Sequence, residues 1–515
     1  MSEESSTMPT AMAHSASNPA ASNPAAPNPS RTNLTLTTPD HAARNRRVIW
    51  LLLAASFVVI LNETIMSVAL KKLSLDLGVD MRAAQWLTTA FMLTMAVVIP
   101  ITGFLLQRFH TRQVFIAAMT LFSTGTLLAA LSPGFEMLVG ARVVQACGTA
   151  LMVPLLMTTL MTLVPPAERG KMMGNVSIVI SVAPAIGPTI SGIILNSLNW
   201  RWMFWLVLPV AVAMLVIGIR RVQNVTEPKP VPIDVVSVAL SAVGFGGFIF
   251  GLSSMGAAGE PGEGASSAAI LMWSSLGTGA AALAAFVWRQ LVLQRRDRAL
   301  LDLRTFRFPV FSATIITMMV SMVALFGTVI LLPIYMQSVL GLEPVQVGLA
   351  LLPGGLTMGV LAPLVGRIYD RAGPRVLLIP GTVIVCAVMW GLSTLGEGTP
   401  VALLVVAHVV LSVGLALSFT PLFTAGLGAL PPSLYSHGSA IVGTVQQVAG
   451  AAGTALFVTL MSAQAARLAV AGASESAAAA GGVRAAFVVG AVIAVGAIVS
   501  ALFVRKPADT VAELS

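Results

Sequence analysis

Of the 20 Asp and Glu residues in the chain, Glu63 alone lies deep inside an apolar stretch; the others fall in polar loops, tails or stretch ends. An ionised carboxylate at the centre of a bilayer costs about 2.5–3.5 kcal/mol on insertion scales, so it is tolerated against a watery cavity or a partner. There a carboxyl can gain and lose a proton near neutral pH. It can also bind a proton and a cation in turn, which is the simplest chemistry of exchange. The alternative is a carboxyl that stays protonated and hydrogen-bonds a neighbouring helix. Arg142 is the one basic residue well within an apolar stretch. It calls for Glu63, backbone carbonyls or water nearby; otherwise its long side chain reaches the interface from a position near the start of its stretch. Gln145, one turn later, shares its face. His408 is the one histidine in an apolar stretch, and it reads as a core histidine before it reads as a proton relay.

The elements that must carry these residues are set by composition. The chain is 56% hydrophobic and 10% charged over 515 residues, against roughly 25% charged for a soluble domain. The apolar residues come in blocks of about 18–24, the length at which a helix crosses the hydrocarbon core. Barrel strands would be half as long and would alternate in polarity, which these blocks do not. Fourteen such blocks are counted between Val48 and Val504. Cys147 and Cys386 both lie in blocks, far apart, and read as packing residues with no disulfide or metal implied. The net charge of +9 does not indicate nucleic-acid binding, because the Lys and Arg residues sit between apolar blocks. Most fall in alternate loops, including Arg289, Arg295, Arg296, Arg298, Arg304 and Arg307, while 255–267, 336–345 and 396–399 have none. That bias predicts a multi-pass protein of the cell membrane with both termini cytoplasmic.

An internal repeat fixes the expected architecture. Leu93-Thr94-Met95, Pro100, Gly103, Arg108 and Arg112 recur as Leu356-Thr357-Met358, Pro363, Gly366, Arg371 and Arg375, each offset by 263 residues. Both copies precede a loop on the same side, so the halves run parallel. The expected organisation is a Pro-rich disordered cytoplasmic tail over 1–43 and a six-helix half over 44–220. Two extra helices with basic linkers follow over 221–309, then a second six-helix half over 310–505 and a short tail over 506–515.

Several segments carry a family resemblance. Leu61-Asn62-Glu63-Thr64-Ile65-Met66-Ser67-Val68-Ala69-Leu70 resembles the first-helix signature of the fourteen-helix drug:proton antiporters of the major facilitator superfamily, the multidrug-efflux and lincomycin-resistance-like permeases. Gln85-Trp86-Leu87-Thr88-Thr89-Ala90 is similar to their second-helix entry. Gly366 to Arg375, with Asp370, Arg371 and Gly373, matches the loop motif Gly-x-x-x-Asp-Arg-x-Gly-x-Arg at every fixed position; Gly103 to Arg112 departs from it at Gln107 and His110. Arg142-Val143-Val144-Gln145-Ala146-Cys147-Gly148 resembles the fourth-helix motif. Pro184-Ala185-Ile186-Gly187-Pro188-Thr189-Ile190-Ser191-Gly192 resembles the antiporter motif of the fifth helix.

The resemblance implies an all-α membrane protein of the major facilitator fold. It would act as a monomer in the lipid bilayer, exporting small lipophilic, cationic compounds with protons as the coupling ion, and with no cofactor, no enzymatic reaction and no nucleic acid. It places the usual carboxylate at Asn62, one step from Glu63, and assigns Arg142 to proton coupling. Pro184, Gly187, Pro188 and Gly192 would form a kinked, closely packed seal between the halves. Asp370, Arg371 and Arg375 would clamp helix ends at a cytoplasmic gate, with a weaker latch at Gln107. An exporter of a single metabolite or antibiotic on the same fold is the alternative. An intramembrane enzyme is disfavoured, since the sequence has no His-Glu-x-x-His and no His/Cys cluster, and ATP-driven transport lacks its Gly-x-x-x-x-Gly-Lys-Ser/Thr loop.

Overall fold

Each apolar block forms one helix. The computed structural model describes residues 39–224, 228, 232–255 and 265–506, and among these it has 14 helices long and apolar enough to cross a membrane. They are α1 (Pro39–Asp76), α2 (Met81–Arg108), α3 (Thr111–Leu131), α4 (Phe135–Leu163), α5 (Arg169–Ser197), α6 (Trp202–Arg221) and α7 (Val235–Ser253). The chain continues through α8 (Ala265–Leu293), α9 (Pro309–Ser338), α10 (Pro344–Ala372), α11 (Arg375–Leu392), α12 (Val401–Gly428), α13 (Tyr435–Val470) and α14 (Glu475–Ala501). The tail expected over 1–43 lies outside the described residues, except that α1 already begins at Pro39. Parts of the 221–309 segment (225–227, 229–231 and 256–264) and most of the C-terminal tail (507–515) lie outside them as well.

The ends of these helices follow from local chemistry. Asp80 caps α2 by accepting from the Ala83 amide at 2.6 Å, and Ser474 caps α14 through the Ala477 amide, each satisfying an amide that has no partner within its helix. Gly373 ends α10 at φ 78°, a conformation that disfavours any side chain. The corresponding residue of the first repeat, His110, has φ −62° as the cap of α3. The second glycine of the loop motif is therefore a backbone requirement in one copy and none in the other.

The repeat seen in the sequence has a counterpart in the packing. The pairs α2/α4, α3/α4 and α3/α6 recur, eight helices later, as α10/α12, α11/α12 and α11/α14. The contacts that cross between these groups also correspond: α2 packs on α13 as α10 packs on α5, and α4 meets α13 as α12 meets α5. Helices α7 and α8 stand outside this scheme. They pack on each other through glycines, with Gly247 of α7 against Gly279 of α8, and α7 lies against α2 and α13. Trp86 of α2 stacks on Phe250 of α7 at 5.9 Å between ring centres.

The start of α7, the end of α8 and the linker after it are fastened by one polar network. Asp234 caps α7 through Ser237 and takes a two-pronged ion pair from Arg289, with Nε and Nη2 at 2.6 and 2.7 Å. The buried Gln290 donates to Ser237 Oγ at 2.8 Å and accepts from the amides of Leu300 and Leu301. Arg304 folds back onto Asp302 and Asp297.

The hydrogen-bonded Arg289 guanidinium holds the Asp234 carboxyl down at about 2, below its ordinary 3.8. A depressed acid contributes stability above its unfolded value and loses it as pH falls through the folded one. Asp234→Asn is therefore expected to lower the thermal unfolding temperature at pH 7 by about a degree or two, a partly exposed pair contributing little. The gap between wild type and variant should close as the pH drops from about 4 to about 2 in unfolding scans of the purified protein.

Candidate functional site

The polar residues within the first helices converge on Arg142. Its position in α4 is 1% exposed, so every donor of the guanidinium needs a partner within the protein. One Nη1 donates to Gln145 Oε1 at 2.5 Å and to Asn62 Oδ1 at 3.2 Å, and Nε points at the Leu87 carbonyl at 3.4 Å. The guanidinium carbon sits 4.0 Å from the centre of the Phe91 ring, an additional attraction that strengthens where water is excluded. Gln145 then donates to Thr126 Oγ1 at 2.7 Å, and Thr126 donates to the Phe122 carbonyl of its own helix. The cluster thus draws on α1, α2, α3 and α4.

Small residues bring these helices close enough. A Cβ on Gly125 of α3 would fall 2.5 Å from the Gln145 amide nitrogen, and one on Gly148 of α4 would fall 2.6 Å from the Phe122 amide nitrogen. With side chains there, α3 and α4 would stand apart and Thr126 would lose Gln145. The i, i+3 spacing of Arg142 and Gln145 puts both on the same face.

Glu63 lies one residue from this cluster and differs from it. Its neighbour Asn62 is buried and takes the contact with Arg142, whereas Glu63 is half-buried and, among the described residues, forms no ion pair within 4 Å. One residue along a helix turns a side chain by about 100°, and that turn gives the amide the bond and leaves the carboxyl beside it. Sequence reasoning brought Glu63, Asn62, Arg142 and Gln145 together. It missed Thr126, Phe91 and the Leu87 carbonyl. A threonine inside an apolar block was the one available signal; nothing marks Phe91 or a carbonyl before the helices are packed.

The antiporter-motif residues lie on α5. Gly187 is buried, and a Cβ there would overlap Thr64 Oγ1, so α5 touches α1 at the residue after Glu63. Pro184 is half-buried in the same helix; the side chain of Pro188 lies outside the described residues. Further along, a Cβ on Gly192 would meet nothing within 4 Å, and neither would one on Gly348 of α10. Toward the other end α5 and α10 close up. Ala185 fills the space at Gly355, and Val182 that at Gly359. A Cβ on Gly174 would fall 2.6 Å from the Ala362 carbonyl oxygen, and one on Gly170 would fall 2.6 Å from the Gly366 carbonyl oxygen.

At that closed end the loop-motif residues bind helix termini. Asp370 accepts from the amides of Gly170 and Lys171 at 2.7 and 2.8 Å, capping α5 from α10. Arg375 donates to the Leu502 and Val504 carbonyls at the end of α14, and Arg112 donates to the Ile219 carbonyl near the end of α6. Asp370 and Arg375 of the expected clamp thus act on two different helices, and Arg371 is exposed. The physical reason is charge complementarity: carboxylates suit helix N-termini and cations suit C-termini. In the first copy, Gly103 packs against His437 and Ala440 of α13. Gln107 donates to the Ser433 carbonyl at 3.0 Å, and Arg108 lies 5.9 Å from the Phe109 ring. His408 of α12 is buried against Gly354 of α10.

Comparison with known proteins shows the family. Residues 52–454 match the family model of the Major Facilitator Superfamily. The chain is 42% identical over 459 residues to the lincomycin resistance protein LmrB of Listeria monocytogenes, covering 88% of this chain and 95% of that one. It is 31% identical over 415 residues to a multidrug resistance protein B homolog of Mycobacterium tuberculosis, covering 80% and 75%. Among solved structures, the human organic anion transporter MFSD10 superposes with a TM-score of 0.63 at 14% identity, covering 89% of this chain and 99% of that one, a likeness of fold. The chain is a multi-pass membrane transporter of the major facilitator superfamily.

Proposed function

We propose that the protein exports lipophilic, preferably cationic compounds from the cell in exchange for protons, with Glu63 as the group that alternates between proton and substrate. The observation carrying this reading is the division of labour at neighbouring positions of α1. Asn62 and Gln145, both neutral, accept from Nη1 of the buried Arg142, and Glu63 forms no ion pair within 4 Å among the described residues. A half-buried acid beside a fixed cation can release its proton to one side and accept a cation in its place. The relatives named for lincomycin and multidrug resistance support a drug-like substrate class.

With the Lys- and Arg-rich loops taken as cytoplasmic, the close α5/α10 and α2/α13 contacts lie toward the cytoplasm, and Gly192 and Gly348 lie toward the outside. Protons then reach Glu63 from outside, each inward crossing gaining about 2.3 kcal/mol per 100 mV of membrane potential. Closing and opening require the helix-end contacts at Asp370 to break and re-form in each cycle. The two copies of the loop motif are unequal here: Asp370 is an anion on a helix N-terminus, which is worth about 0.3–1 kcal/mol and up to ~2 when partly buried. Gln107 contributes one neutral hydrogen bond.

Two experiments test this. In inverted vesicles holding a proton gradient, addition of lincomycin or tetraphenylphosphonium to the wild type should release protons. Glu63→Gln should cut that release by about tenfold or more at equal expression, and unchanged release contradicts the role of Glu63. For the gate, Asp370→Asn should speed thiol labelling of a cysteine placed at the buried Met173 by about threefold, corresponding to ~0.6 kcal/mol lost from the closed state. Gln107→Ala, read at the same cysteine, should change the labelling less; equal effects would contradict the asymmetry.

A further inference from the structure

Helix α5 is held at both ends by charges from other helices. Its N-terminal amides bind Asp370 of α10. At its other end, Lys72 of α1 donates from Nζ to the Leu195 carbonyl at 2.5 Å and reaches the Leu198 carbonyl at 3.5 Å. Those carbonyls belong to the last turn and the cap of α5 (Arg169–Ser197), where acceptors lack partners within the helix and a cation complements the dipole. The donor does not come from α5 or the loop after it. It comes from the helix that bears Glu63.

The grip has a second point. Thr64, directly after Glu63, lies on Gly187 with no space for a Cβ between them, so α1 cannot slide along α5 there without displacing it. Thr64 and Lys72 are eight residues apart, about 12 Å along α1 at 1.5 Å per residue, and they bracket the part of α5 between Gly187 and its C-terminus. Below Gly187, α5 is in close contact with α10 from Ala185 to Gly170. A displacement of α1 at Glu63 is thereby passed to α5 at two points, and from α5 to the closed face against α10.

We propose that Lys72 is a positioning residue that fastens α1 to the C-terminal end of α5, so that a change at Glu63 moves the α5/α10 contact. This rests on the reading of Glu63 given above. Lys72 does not touch substrate; it acts through α5. Loss of a simple structural cap would destabilise the protein in every conformation alike. Loss of a coupling link slows interconversion and spares binding.

The test uses the full-length protein in proteoliposomes, with tetraphenylphosphonium as the probe and three variants: Lys72→Met, Lys72→Gln and Lys72→Arg. Met and Gln should lower proton-driven exchange by about tenfold while equilibrium binding of the probe stays within about twofold, and Arg, which keeps the charge and donors, should restore at least about half the rate. Wild-type exchange in Lys72→Met overturns the proposal. So does a parallel loss of rate, binding and thermal stability, or an Arg variant as slow as Met. Should Lys72→Met fail to reach the membrane, the Gln and Arg pair makes the same comparison. Glu63→Gln, run alongside, separates the two readings. A dead Glu63→Gln with a normal Lys72→Met sinks the link alone, and a normal Glu63→Gln sinks the proton site on which the link rests.

Discussion

A guanidinium enclosed in a bilayer-spanning bundle must have its donors answered by the protein, and much of the first six helices is arranged to answer those of Arg142. Desolvating such a cation costs several kcal/mol, and the compensation comes from four helices: an amide on α1, a carbonyl and a ring on α2, and an amide on α4 that is itself held by a threonine on α3. The close approaches at Gly125 and Gly148 make this geometry possible. A carboxylate in contact would have satisfied Arg142 more simply and would have locked both charges together. Here Arg142 hydrogen-bonds to neutral groups, and the neighbouring acid on α1 stands outside any ion pair within 4 Å among the described residues.

The fold was largely legible in the sequence because the bilayer imposes one length and one chemistry on every crossing segment. Fourteen apolar blocks became fourteen membrane-length helices among the described residues, and the 263-residue repeat reappeared as a shift of eight helices in the packing. The site was legible as residue types, since Glu63 and Arg142 are charges where charges are costly. Which of Asn62 and Glu63 would meet Arg142 was not, because it depends on the rotation of α1 about its axis, and a single residue step changes the answer. The helix-end contacts were hidden for another reason. Asp370 and Gly170 are 200 positions apart, and the motif set Asp370 beside Arg375, a neighbour in sequence that donates to the end of another helix.

The two copies of the loop motif show how a repeat diverges under physical constraint. Where the second copy needs a residue with positive φ it has Gly373; where the first has ordinary backbone it has His110. Asp370 faces amides and is an acid; Gln107 faces a carbonyl and is an amide donor. Each departure from the motif matches the chemistry of its local partner. The closed face is therefore fastened unequally, with its charged contact on α5, the helix that also carries Gly187 against Thr64.

The most direct test of proton exchange at Glu63 needs no membrane gradient. Purified protein in detergent, mixed with tetraphenylphosphonium in weak buffer near neutral pH, should release protons as it binds, approaching about one per molecule. The affinity should weaken as the pH is lowered from about 8 to about 6. Binding that releases no protons and keeps the same affinity across that range would contradict competition between proton and substrate.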